Sequence, residues 1–303
     1  MPELPEVETV RRGIEKYVVG HRIESVEILH PKPFQGSAEQ INGAKIVGIK
    51  RIGKGLIIEL SNNYSLAIHI KLTGQLVYRD KKTKNAKLST KVGSQLPNKF
   101  THVIFKLLRP NAKSDERKTY LYYNDQRRFG WIKVLPTSEV SQLPFFKNMG
   151  PEPPVVPLRQ GSGGTMEGRS LLSLEYFEKL LEGKNTKIKP FIMDQTRIGG
   201  IGNIYANDAL FDAKILPTRS AKSLTKLEIK RLFNSILKVM KKSFEEGGAS
   251  ELSFVNILGQ EGNYQNHSLV YGKTGKKCPR CKTVIKRINL GGRGTFYCEN
   301  CQK

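Results

Sequence analysis

Apolar residues at Leu4, Val7, Val10, Ile14 and Val18 recur at close to helical spacing, which predicts an amphipathic helix over 5–18 with Pro5 in its first turn. From Arg22 to about Val134 the pattern changes to short β-branched runs: 23–29, 45–50, 56–60, 65–70, 103–108 and 120–123. Several alternate between apolar and polar residues, so they are expected to form an antiparallel sandwich. The polar stretches 80–99, which is rich in Lys, and 109–118 read as long loops. A Pro- and Gly-rich stretch from Gly150 through Gly164 is the linker candidate, and helical patterns follow over 173–182, 187–195, 203–213 and 225–246. Thr225 and Glu228 stand at capping-box spacing at the head of the last, and Gly247-Gly248 stops it. Residues 251–267 have no clear period and read as a loop.

Composition sharpens this picture. At 303 residues the chain is long enough for two or three cores, and 51 Lys and Arg against 27 Asp and Glu leave a net charge of +24. A polyanionic partner, nucleic acid first, is expected. No apolar run is long enough for a membrane helix, and the acidic first ten residues are the reverse of a targeting peptide, so a cytoplasmic, nucleoid-associated protein is expected.

All four cysteines fall near the end, as Cys278-Pro-Arg-Cys281 and Cys298-Glu-Asn-Cys301. Two such knuckles separated by sixteen residues can present four thiolates as a tetrahedron with no open position, the pattern of one structural zinc. Between them lie Lys282, Lys286, Arg287 and Arg293, and the Gly291-Gly292-Arg293-Gly294 tip lets backbone and guanidinium approach a phosphate. A ribbon that only staples the C-terminus is the plainer alternative.

Loss of Met1 would expose the secondary amine of Pro2, a nucleophile with a pKa below that of lysine. Alone, Met-Pro says no more than that a helix begins nearby. Four strings taken together say more: MPELPEVETVRRGI at the start, Asp125-Gln-Arg-Arg-Phe-Gly130, Gly200-Ile-Gly-Asn-Ile-Tyr-Ala206, and Arg293-Gly-Thr-Phe-Tyr-Cys-Glu-Asn-Cys-Gln-Lys303. In content and order they closely resemble the formamidopyrimidine-DNA glycosylase family.

That resemblance implies an enzyme that excises 8-oxoguanine and formamidopyrimidines from damaged double-stranded DNA and then cuts the abasic strand by β,δ-elimination. Pro2 would form a Schiff base at C1′, Glu3 would handle protons at the sugar, and Lys54, flanked by glycines, would hold a phosphate beside the lesion. Arg293 joins these catalytic residues by the same carry-over. Arg127 would face the orphaned base and Phe129 would wedge between bases. The third wedge is Leu72, where the family's pattern has Met. His102 and Asn203 would be further DNA contacts, with Asn203 at the head of a helix, and Lys184, just upstream, is a candidate phosphate contact from its position alone. Read alone, Phe129 and Leu72 would be strand core, and Glu6 and Glu8 exposed carboxylates favoured by the helix dipole.

The expected fold is α+β and multidomain: a β-sandwich flanked by helices over 1–137, a linker over 138–168, a helix-two-turn-helix domain with a lesion-recognition loop over 169–268, and a β-hairpin zinc ribbon over 269–303. A monomer is expected. Competing readings are an endonuclease VIII-like enzyme for oxidised pyrimidines, a non-catalytic DNA-binding zinc protein, and a basic ribosomal component. Pro2, Glu3 and Lys54 together distinguish an enzyme from the last two.

Overall fold

A computed structural model describes residues 1–83, 85–110, 118–155 and 171–303. The chain divides into two compact units, the first made of Met1–Lys147 with Glu246–Gln265, the second of the described residues in 148–155, 171–245 and 266–303. Sequence reading grouped 246–265 with the helices; its backbone instead joins the sandwich. Most of the expected linker, 156–170, lies outside the described residues.

The first unit opens with α1 (Leu4–Tyr17), followed by β1 (Arg22–Ile28), β2 (Phe34–Gln35), β3 (Ile46–Ile52), β4 (Gly55–Leu60), β5 (Tyr64–His69), β6 (Gly74–Arg79), β7 (Thr101–Leu108), β8 (Lys118–Asp125), β9 (Trp131–Pro136) and the short α2 (Pro144–Lys147). Two sheets form, ordered β1-β7-β8-β6 and β2-β9-β5-β4-β3. Every pair is antiparallel except β2 with β9, where Phe34 lies beside Ile132 in parallel register. The wholly antiparallel expectation therefore fails at that edge.

β4 and β5 are buried almost throughout, because α1 packs on β3 and β4 and the apolar residues of both sheets share one core. Val7, Val10 and Ile14 of α1 enter that core, each fully buried aliphatic side chain contributing about 1.5–3 kcal/mol. β6 and β9 had no strong β-branched run and escaped sequence reading.

In the second unit α3 (Leu174–Leu181), α4 (Ile188–Ile192), α5 (Asn203–Asp212) and α6 (Lys226–Glu245) match the four helical patterns to within a few residues. The capping box of α6 forms as expected: the Thr225 amide donates to Glu228 Oε2 at 2.9 Å and the Glu228 amide to Thr225 Oγ1 at 3.3 Å. The ribbon hairpin is β10 (Lys286–Leu290) with β11 (Arg293–Tyr297). Within 251–267, expected to be all loop, a single helical turn, α7 (Tyr264–His267), appears.

Candidate catalytic and DNA-contact sites

Pro2 is buried and Glu3 is 2 % exposed, at the head of α1. The Glu3 amide donates to Glu6 Oε2 at 2.7 Å, and the other Glu6 oxygen accepts the Ala249 amide at 2.8 Å. Glu6 thus ties the N-terminus to the 246–265 segment. Glu8 is also buried and accepts Arg11, Arg12 and Arg51 within 3.1 Å. Burial pushes its carboxyl pKa up, but Arg51 and Arg11 outweigh that and hold it below the ordinary value. Neither acid is the exposed dipole partner expected from sequence.

Lys54 occupies the two-residue turn between β3 and β4 and is 3 % exposed, so it is no ordinary surface lysine. Arg51 braces this turn, donating through Nη1 to the Gly53 carbonyl at 3.0 Å and through Nε to Glu8 at 3.0 Å. One guanidinium therefore connects the helix that carries Pro2 to the turn that carries Lys54. On the neighbouring strand, burial and then the positive charges of Lys71 and Lys54 depress His69 to about 3. Its Nδ1 accepts the Lys71 amide at 2.9 Å, which the neutral ring requires.

The three wedge candidates sit on two linked turns. Asp125, fully buried, accepts the Thr73 hydroxyl and the Arg127 amide on one oxygen, and the Gly130 amide and Tyr123 phenol on the other. Thr73 in turn accepts the Arg127 amide at 3.0 Å. Gly130 is obligatory here because a Cβ would lie 2.0 Å from the Tyr123 hydroxyl and 2.8 Å from the His69 carbonyl. Phe129 is 50 % exposed, with the Arg127 guanidinium 4.8 Å from its ring centre, and Leu72 is half-buried. The strand-core reading is overturned for Phe129.

His102 is 1 % exposed and donates through Nε2 to the Asp125 carbonyl at 2.7 Å. It thereby braces the backbone of the turn that carries Arg127 and Phe129. Burial lowers its pKa, partly offset by that carbonyl, and so keeps the ring neutral.

In the second unit the four cysteine sulfurs lie within 4.8 Å of one another, with Cys278 and Cys301 sulfurs 3.8 Å apart and those of Cys281 and Cys298 3.4 Å apart. Four thiolates about 2.3 Å from a zinc ion would be ~3.8 Å apart, so the set fits one structural zinc. The β10–β11 hairpin turns through Gly291 and Gly292, both left-handed at φ 59° and 70°, and so delivers exposed Arg293 directly after the tip.

Behind Arg293, the Gly294 carbonyl accepts Asn203 Nδ2 at 3.1 Å and Lys189 Nζ at 3.0 Å, and Lys189, fully buried, also donates to Thr295. Asn203 is the first helical residue of α5 with Gly202 as its cap, not the cap itself. Its amide group locks the base of the Arg293 hairpin. Lys184 stands exposed after α3, apart from this cluster.

Sequence reasoning missed Arg51 and Lys189. No local pattern pairs Glu8 with a residue 43 positions away, and a lysine in a short helix ordinarily reads as solvated.

The chain matches three family descriptions: the formamidopyrimidine-DNA glycosylase N-terminal domain over residues 1–132, the H2TH domain of the same enzymes over 168–254, and a zinc finger found in FPG and IleRS over 275–303. It is 38 % identical over 308 residues to a formamidopyrimidine-DNA glycosylase of Pelotomaculum thermopropionicum, covering 100 % of this chain and 99 % of that protein. The counterpart from Lactococcus lactis is 37 % identical over 309 residues, with 100 % of both covered. Among solved structures, the Lactococcus lactis Fpg bound to DNA containing an abasic site superposes with a TM-score of 0.80 at 34 % identity, covering 99 % of each chain. A complex of the same enzyme with N7-benzyl-Fapy-dG DNA matches equally, at 0.80 and 34 %, covering 100 % of both.

Proposed function

The chain belongs to the formamidopyrimidine-DNA glycosylase family, a DNA glycosylase and abasic-site lyase of oxidised purines in base-excision repair, and we propose that it works through the amine of Pro2 once Met1 is removed. The observation that carries this reading is Arg51, which joins the helix bearing Pro2 and Glu3 to the turn bearing Lys54 through Glu8. Attack of Pro2 on C1′ displaces the damaged base, which leaves with a proton, and gives an aminal; loss of the amine proton and cleavage of the C1′–O4′ bond, with a proton delivered to O4′, then open the sugar ring and leave a cationic iminium. This electron sink makes proton loss from the adjacent carbon, and then β- and δ-elimination of the two phosphates, accessible. Glu3 carries the proton at the sugar, and Lys54 holds the adjacent phosphate in a site dry enough for its charge to count.

Extraction of the base costs a few kcal/mol of stacking, which Phe129, Arg127 and Leu72 offset by filling the gap. The exposure of Phe129 and the Arg127–Phe129 stack support that role. Arg293, held by Asn203 and Lys189, presents its guanidinium to the DNA and takes part in the eliminations, while Lys184 adds a phosphate contact. The zinc closes the ribbon and supplies no chemistry. The substrate is duplex DNA and the enzyme a monomer in the cytoplasm, at the nucleoid; among the described residues no helix is long and apolar enough to cross a membrane.

Borohydride trapping on duplexes with 8-oxoguanine opposite cytosine, beside thymine glycol, tests the reading. A covalent adduct is expected with the oxidised purine and none with Pro2→Ala. No adduct on any damaged duplex, with zinc bound and the protein folded, overturns it.

A further inference from the structure

The Lys-rich stretch 80–99 has no part in the chemistry above, yet its middle is built into the first unit. Val92 is fully buried in a cluster with Val77 of β6 and Val255, with Leu88 and Leu96 packed against it. The Ser89 amide donates to the Gly259 carbonyl at 2.9 Å, and the Ser89 hydroxyl to Glu261 at 2.5 Å. Lys91 Nζ reaches Glu261 Oε2 at 2.6 Å and also the Ser250 carbonyl. Both donors hold Glu261 below the usual carboxylate range.

The backbone of Lys91 reaches further than its side chain. Its carbonyl accepts Gln75 Nε2 at 3.0 Å and Gln126 Nε2 at 3.4 Å. The same Gln75 nitrogen donates to the Ser253 carbonyl at 2.6 Å, and the Ser253 hydroxyl donates to the Leu72 carbonyl at 2.9 Å. Gln75 is 4 % exposed, so these bonds form largely out of water. One junction therefore binds four segments: the 80–99 loop, the 250–261 segment, the turn that carries Leu72, and the turn that carries Arg127 and Phe129.

We propose that Gln75 and Lys91 are positioning residues for base extraction: the 80–99 loop fixes the 250–261 segment and both wedge turns in one arrangement. This rests on the glycosylase reading above. Extraction requires both wedge turns to be in place together, whereas a pre-formed abasic site has no base to extract. The 80–99 loop thus sets how well a damaged base is extracted and released without entering the sugar chemistry. The Lys91–Glu261 pair, partly exposed, contributes little alone. Gln75, whose loss leaves two carbonyls short of a donor, is the stronger member.

Single-turnover base release from 8-oxoguanine opposite cytosine is to be compared with cutting of a pre-formed abasic duplex, alongside thermal melting. Gln75→Met is expected to slow base release about tenfold, as the loss of a buried hydrogen-bonded link implies, with abasic cutting held within about twofold. Should that variant not fold, the surface pair provides the second test. Lys91→Glu and Glu261→Lys each slow base release, and the double swap restores it. A parallel fall in both activities, or unchanged base release in folded Gln75→Met with no rescue in the swap, overturns the proposal. Absence of abasic cutting by the wild type overturns the Pro2 reading itself.

Discussion

The Thr73 hydroxyl donates to the Asp125 carboxylate, and through that bond the turn bearing Leu72 is fastened to the turn bearing Arg127 and Phe129. Asp125→Ala strips the acceptor from the Gly130 amide, the Tyr123 phenol and the Thr73 hydroxyl at a buried site, while the Arg127 amide keeps Thr73 Oγ1. A loss of about 3 kcal/mol or more is expected, since each stranded donor costs ~1–3 kcal/mol. Thr73→Val removes the bond to Asp125 and the one from the Arg127 amide, which keeps Asp125 as acceptor, and should leave most of the stability while slowing base release. Urea unfolding beside single-turnover excision separates the two effects, and equal losses in both variants would contradict the division.

Arg51→Met breaks the buried pair with Glu8 and unbraces the Lys54 turn. Removal of one partner of a buried pair costs about 3–5 kcal/mol, although Arg11 and Arg12 remain on Glu8 and place this case near the lower end. Because the folded pKa of Glu8 is depressed, its contribution is full above the ordinary value of 4.5 and is lost as pH falls through the folded value. Urea midpoints between pH 6 and pH 3 should therefore fall less steeply in Glu8→Gln. Parallel curves would remove Glu8 from the account.

His69 acts in a higher window. Its folded pKa of about 3 lies below the ordinary 6.5, so the unfolded chain takes up a proton that the folded one refuses. Stability is full above 6.5 and declines toward 3, at up to about 1.4 kcal/mol per pH unit. His69→Gln should flatten the curve between pH 6.5 and pH 4.5, where Glu8 is silent. NMR titration of the ring gives an independent check, and a midpoint near 6.5 would refute this.

Cys298→Ser or prolonged chelation should release the zinc and loosen the hairpin that carries Arg293. Far-UV dichroism should change little, because the sandwich and α3 to α6 have cores of their own. DNA binding should weaken. Arg293→Ala alone should lower the salt slope of binding by about one counterion. A slope equal to the wild type's would leave the ribbon as a staple.

Much of this was legible in the sequence where the signal was local. The capping box of α6, the two knuckles and the two-glycine tip follow from short strings with a direct physical meaning, whereas Phe129 read alone would be strand core and is exposed. Long-range pairing is a different matter. Glu6 with Ala249, Glu8 with Arg51 and Gln75 with Ser253 join residues whose separation along the chain carries no periodic trace. β6, reading Gly-Gln-Leu-Val-Tyr-Arg, is a strand because both its faces are covered, not because its residues favour one.

The bare tip of the ribbon has one more consequence. A Cβ on Gly292 would meet nothing within 4 Å, so the protein itself leaves that volume vacant. The silhouette of the hairpin is thus as thin as a polypeptide can be up to Arg293, and a nucleic-acid backbone sliding along it meets no side chain before the guanidinium.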